Sequence, residues 1–86
     1  MFFAYVIQSQ LDTAYFYKGQ CQDMHIRLLQ HNSGLTKSIK NKIPFKLVYF
    51  EAFETRNEAI KREKYFKTAA GRRYLKQKLV PPLAGW

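Results

Sequence analysis

Two runs of aromatic and β-branched residues, Phe2 to Gln8 and Tyr15 to Gln20, lie near the start of the chain with only the polar stretch Ser9 to Thr13 between them. Such runs suit a pleated, half-buried surface. A linker this short joins antiparallel neighbours, because a parallel pair needs a crossover of about a dozen residues or more. The chain therefore opens with a β-hairpin. Turning about Leu11 pairs Tyr5 with Tyr17 and Ile7 with Tyr15, which sets two phenols side by side on one face. With 86 residues in all, the apolar side chains cannot be divided between two cores. Everything downstream must pack on that hairpin, and an apolar fraction of 47% with 16% aromatic residues predicts an aromatic-rich core.

Asp23 is placed to cap a helix running to about Asn32, with Met24, Leu28 and either Ile26 or Leu29 facing inward and Gly34 just past the end. Arg27 and His31, four residues apart, share one face of it. Ser33 to Pro44 mixes small residues with Lys37, Lys40 and Lys42 and reads as a basic surface loop. Lys46 to Phe53 returns to strand composition. Its residues Leu47, Tyr49 and Phe53 fall on one side and Val48, Phe50 and Ala52 on the other, which predicts a central strand covered on both faces. Thr55, Arg56, Asn57, Glu58 is a capping box that starts a helix. Along that helix Ala59, Glu63 and Lys67 form one stripe close to Ile60 and Phe66, so a carboxylate is carried near the apolar side. Gly71 is expected to break the helix, leaving Arg72 to Leu79 as a last basic segment. Pro81, Pro82 and Gly85 then mark a tail, giving a domain at 1–80 and a tail at 81–86.

Fifteen Lys and Arg against six Asp and Glu leave a formal charge of +9. That excess points to a polyanionic partner, such as nucleic acid or an anionic membrane surface, and disfavours a cationic substrate. Up to residue 36, Lys18 and Arg27 are balanced by Asp12 and Asp23, so the surplus and the expected binding surface lie in the later part. A single cysteine, Cys21, rules out an internal disulfide and suits a reducing, cytoplasmic setting. The opening Met1 to Ile7 is too short to span a bilayer and has no basic leader, so a membrane role is not expected.

The phosphate-binding Gly-rich loop, the paired-cysteine zinc pattern, the zincin His pair and the serine nucleophile elbow are all missing, which removes ATP hydrolysis and acyl transfer. Cys21, His25 and His31 lack a fourth zinc ligand, and packing explains Cys21 more simply. Tyr5, Tyr17, Arg27, His31 and Glu63 remain. They meet only if the two helices that carry Arg27 and Glu63 pack beside the same edge of the hairpin.

These residues resemble the GIY-YIG nuclease superfamily. Ala4, Tyr5, Val6 followed by Tyr17, Lys18, Gly19 is similar to the paired motif that names it, with Ala4 in place of the first glycine. Arg27, His31 and the Glu63 of Glu58 to Glu63 stand at the positions of the family's arginine, its Tyr or His, and its metal-binding glutamate. Arg27 to Gly34, Pro44 to Tyr49 and Glu54 to Glu63 resemble the wording of small stand-alone bacterial domains related to the incision domain of the excision-repair endonuclease. Lys18 departs from the usual apolar residue, and Gln20 stands where excision-repair relatives often place a lysine. The resemblance implies an α/β (α+β) domain, a three-stranded antiparallel sheet flanked by helices in the order β-β-α-β-α-α. It also implies an endonuclease that uses Mg²⁺ or Mn²⁺ to cleave DNA in repair or recombination, either structure-selectively or without specificity.

Phosphodiester hydrolysis needs an activated water, neutralisation of the non-bridging oxygens and stabilisation of the leaving oxygen. A single carboxylate, Glu63, suffices for a cation that keeps several waters. Arg27 offers a planar, permanently charged fork for phosphate. Tyr5 or Tyr17 would position the water, His31 has the better-matched pKa to accept its proton, and Gly19 would leave the backbone open beside the phosphate. Lys18, Gly19, Lys37, Lys40, Lys61, Lys64, Lys67, Arg72 and Arg73 are the expected nucleic-acid contacts. Selectivity would then come from nucleic-acid structure or from a protein partner. A catalytically idle nucleic-acid-binding module is the alternative.

Overall fold

The fold is taken from a computed structural model, in which residues 1–79 are described. β1 (Phe2–Ser9) and β2 (Phe16–Cys21) form the hairpin. Its register differs by two residues from a turn about Leu11, so Tyr5 faces Gly19 and Ile7 faces Tyr17. Ser9 is the cause. Its Oγ accepts from the N–H groups of Leu11 and Asp12, and its own N–H donates to Tyr15 O at 3.0 Å, which centres the loop on Asp12. A two-residue shift leaves every side chain on its expected face.

β3 (Phe45–Phe53) pairs antiparallel with β1, giving the order β2-β1-β3. The central strand is therefore β1, not β3. The difference follows from charge: Ala4, Tyr5, Val6 and Ile7 are all fully buried, whereas β3 carries Lys46 and Glu51 and leaves Phe50 49% exposed. The expected grouping on β3 also changes. Val6 pairs with Tyr49 but Ile7 pairs with Leu47, so a bulge at Val48 sends Leu47 and Tyr49 to opposite faces.

The two faces have separate cores. Tyr5, Ile7, Cys21, Ile39 and Phe45 pack on one, with Met24 and Leu28 of α1 (Met24–Asn32) against them. Asp23 caps α1 by accepting from Ile26 N–H, and the helix closes with Leu35 N–H on Gln30 O and Gly34 N–H on His31 O, Gly34 taking φ +86°. Neither Ile26 nor Leu29 faces inward; they are 52% and 57% exposed. The buried stripe is Met24, Leu28, His31, because His31 finds polar partners inside. The segment expected as a loop contains a 3-10 helix, Lys37–Lys42, whose Ile39 is 1% exposed and fills the same core.

Ala4, Val6, Phe66 and Leu75 form the other core, beneath α2 (Arg56–Phe66) and α3 (Ala69–Leu79). The capping box starts α2 as expected, with Glu58 N–H on Thr55 Oγ1 and Thr55 N–H on Glu58 Oε1. The break that follows lies at Lys67 and Thr68 rather than at Gly71, since Thr68 Oγ1 accepts from Gly71 N–H and opens α3. Gly71 sits inside the helix instead. A β-carbon there would collide with the Tyr65 carbonyl, so the glycine permits the tight turn between α2 and α3. Glu51 fastens both helices to β3, accepting from Arg62, Tyr49 and Tyr74, while the Arg62 guanidinium lies over the rings of Tyr65 and Tyr74. The expected tail at 81–86 lies outside the described residues.

Candidate active site

The site is built around Tyr5. On the central strand its phenol is fully buried and lies across Gly19 of β2. A β-carbon at Gly19 would stand 2.5 Å from Tyr5 Cζ, so no side chain fits there while the ring is present. The space that glycine was expected to leave beside a phosphate is thus occupied by Tyr5. Burial pushes the phenol up to about 12 against the opposing pull of Arg27, so Tyr5 keeps its proton at neutral pH.

Two residues of one α1 face reach that phenol. Arg27 Nε donates to Tyr5 Oη at 3.4 Å, and His31 Nε2 lies 2.7 Å from it. Thr36 Oγ1 is 2.8 Å from the other ring nitrogen, Nδ1. Hydrogen-bond satisfaction fixes the directions. Arg27 can only donate, and a fully buried Tyr5 O–H has no other acceptor, so it donates to Nε2 and the Nδ1–H donates to Thr36. Burial, then the nearby Arg27 charge, hold the His31 pKa down to about 4, so the imidazole is neutral at pH 7. It accepts a hydrogen bond from Tyr5, and burial makes it a weaker base than the ordinary histidine expected from the sequence.

Tyr17 stands on the same face, its ring edge-on to His31 with centroids 5.2 Å apart. Arg27 is steadied by a bond from Nη1 to Gln30 Oε1 at 3.0 Å. With Gln20, Cys21 and Gln30 it lines an open cleft of about 320 Å³, and Arg56 of α2 closes the far side. Gln20 Oε1 is buried with no hydrogen-bond partner among the described residues. Tyr5, Tyr17, Arg27 and His31 are therefore together.

Among the described residues Glu63 shares no hydrogen bond or ion pair with them. It belongs to α2, on the opposite sheet face, where its half-buried carboxylate accepts from Lys67 Nζ at 2.7 Å. Both helices nonetheless border the β2 edge, and Glu63 lies two helical turns, about 10 Å, along α2 from Arg56. Of the expected nucleic-acid contacts, Lys37, Lys40, Lys61, Lys64, Lys67, Arg72 and Arg73 are exposed. Lys18 is half-buried opposite Val6, on the face away from the phenols.

Two contributors escaped the sequence reading. Thr36 carried no signal, lying in a segment read as loop. Asn32 clamps the end of α1 to the start of β3, with Nδ2 on Phe45 O at 3.0 Å and Oδ1 accepting Phe45 N–H at 2.7 Å. A polar residue at a helix end followed by Ser-Gly is too ordinary to announce such a clamp.

The GIY-YIG catalytic domain model matches residues 1–77. This chain belongs to the GIY-YIG family. It is similar to a UPF0213 protein of Staphylococcus saprophyticus, 41% identical over 61 residues that cover 70% of this chain and 74% of the relative. A UPF0213 protein of Staphylococcus epidermidis is 35% identical over 75 residues, covering 86% and 89% respectively. One from Listeria monocytogenes is 42% identical over 66 residues, covering 76% and 72%. No solved structure matches.

The family is one of nucleases, and its members generally use divalent metals. Among the described residues no cluster of three or more His, Cys, Asp or Glu could hold an ion. The oxygens bordering the β2 edge, a Glu63 carboxylate with only Oε2 taken by Lys67 and the unpartnered Gln20 Oε1, are hard donors. They fit Mg²⁺ or Mn²⁺ retaining most of its water and do not fit zinc. Among the described residues no helix is long and apolar enough to cross a membrane.

Proposed function

We propose that this GIY-YIG domain is a divalent-metal-dependent endonuclease hydrolysing phosphodiester bonds of DNA, selective for nucleic-acid structure rather than sequence. The observation that carries it is the linked array Arg27, Tyr5, His31, Thr36, which fixes a permanently charged guanidinium beside the open cleft at the β2 edge. Holding so many polar groups inside a small core has no structural need, because apolar residues of similar shape would pack there without a desolvation cost.

In this reading Arg27 binds a non-bridging phosphate oxygen with the N–H groups not used by Tyr5 and Gln30, offsetting charge that grows as water adds to phosphorus. Glu63 would hold Mg²⁺ or Mn²⁺, which supplies Lewis-acid polarisation of the phosphate and acidifies a bound water. Tyr5, protonated and buried, sets the direction of Arg27. His31, neutral and with Nε2 already accepting from the phenol, holds Tyr5 and through it Arg27; with its pKa held down to about 4 it is not the base. Tyr17, half-exposed on the same face, orients the attacking water. As the water oxygen bonds to phosphorus and gives its proton to solvent, the bond to the leaving sugar oxygen breaks and that oxygen takes a proton from solvent.

Incubation with supercoiled, branched and single-stranded DNA, with and without Mg²⁺ or Mn²⁺, tests the proposal beside Glu63→Ala and Arg27→Ala. Metal-dependent cutting lost in both variants is expected. Equal nicking by wild type and Glu63→Ala would remove Glu63 from the mechanism. The ion pair between Glu63 and Lys67 and the full burial of Tyr5 and His31 favour a second reading, a catalytically idle binding module. It predicts salt-dependent DNA binding without metal-dependent cleavage.

A further inference from the structure

Lys18, the residue that departs from the motif, belongs to a different surface. With Arg72 and Lys76 of α3 it rims a groove of about 260 Å³ whose floor includes Val6, Phe16 and Leu75. Among the described residues no carboxylate lines this groove. Phe16 also lines two adjoining hollows, one with Lys46 and Lys78 and one with Lys46 and Lys76, and among the described residues these too have no acidic residue. Five cations thus surround one half-buried aromatic ring. Burial, then the like charges of Arg72 and Lys67, push the Lys18 ammonium below its usual pKa. Gathering like charges at a partly desolvated place costs free energy unless an anion joins them.

The mixture of apolar floor and cationic rim decides which polyanion fits. A duplex presents phosphates to a protein but keeps its base faces stacked inside, so it has nothing to offer Phe16. A single strand offers both, phosphates to the lysines and unstacked base faces to the ring. We propose that this groove binds single-stranded nucleic acid, on the sheet face opposite the Arg27 site. The inference rests on the endonuclease reading only in naming its substrate, a nucleic acid with a single-stranded arm.

Fluorescence anisotropy in EDTA, with a labelled oligothymidine of about 20 nucleotides and a duplex of equal length, tests the groove without any cleavage. The triple variant Lys18→Gln, Lys46→Gln, Lys76→Gln is expected to weaken single-strand binding about tenfold or more and to lower the salt slope by about two. Phe16→Leu, folded by circular dichroism, is expected to weaken it roughly 5- to 100-fold. A charge-matched control that keeps every lysine, Ser38→Asp, Asn41→Asp, Asn57→Asp at exposed positions outside the groove, is expected to lose less than about threefold. The proposal is overturned if the groove variants bind the oligonucleotide as wild type does, if the control loses as much, or if the groove triple variant costs duplex binding equally. Nicking of supercoiled DNA with Mn²⁺ is scored separately. Groove binding without nicking sinks the endonuclease reading alone, and nicking with unchanged groove variants sinks the groove alone.

Discussion

Acid should unfold this domain earlier than its carboxylates require, and His31 is the reason. In the unfolded chain a histidine titrates near its reference value of about 6.5. In the folded protein burial and Arg27 hold it down to about 4. The folded pKa is the lower of the two, so between these values the unfolded state binds the extra proton. The contribution is fully present above about pH 6.5 and is lost as pH falls towards 4. A gap of about 2.5 units at about 1.4 kcal/mol each is at most about 3.5 kcal/mol, with a limiting slope of about 1.4 kcal/mol per pH unit. A domain of this size has about 4 to 13 kcal/mol in all. Carboxylates act in a lower window. Asp12 is held down by its bond from Lys42, and Glu51 by bonds from Arg62, Tyr49 and Tyr74 that outweigh burial; both lose their contribution only as pH falls below the ordinary carboxylate range. Urea unfolding followed by circular dichroism at pH 7, 6, 5.5 and 5 isolates the histidine, with His31→Gln as control and His25 retained in both proteins. The wild type should lose about 2 kcal/mol between pH 7 and 5 and the variant much less. A flat wild-type profile over that range, or the same slope in His31→Gln, refutes the buried neutral imidazole.

Gly19→Ala would put a methyl group into the Tyr5 ring; a loss of about 1–3 kcal/mol is expected from overpacking, and a variant as stable as wild type in urea contradicts the close approach. Thr36→Val keeps the shape but removes the acceptor of His31 Nδ1–H. It should cost about 1–3 kcal/mol and shift the ¹⁵N resonances of His31 away from the Nδ1–H tautomer, whereas unchanged ring shifts would deny Thr36 that role. Asn32→Ala leaves the N–H of Phe45, itself 4% exposed, without its partner; a loss of about 2 kcal/mol is expected, with faster amide exchange at Phe45 as the local readout.

Local chemistry was the most legible part of the sequence. The hairpin, the Asp23 and Thr55 caps and the closing turn at Gly34 each depend on neighbours within a few residues, and each forms, the hairpin with its register two residues from the expected one. What failed depended on distant partners. β1 and β3 have similar aromatic composition, so position in the sheet turned on which strand carries charges, and the bulge at Val48 only becomes visible once β3 meets β1. Ile39 looked like a surface residue among lysines until the core beneath α1 required it. Gly71 read as a breaker because its use is steric: it admits the Tyr65 carbonyl between two helices.

The same division runs through the site. Arg27 and His31 were readable because four residues on a helix always share a face, and both turn towards Tyr5. Their position relative to Glu63 could not be read, because which sheet face receives α2 is fixed by Phe66 packing with Ala4 and Val6 rather than by any local signal. That packing has a chemical consequence. With α1 and α2 on opposite faces, Arg27 and Glu63 could serve one phosphodiester, as proposed, only across the β2 edge. Among the described residues β2 is an edge strand, with no further strand beyond it. Burying that edge under a partner would separate the two halves of the site, whereas a nucleic-acid strand laid along it would join them.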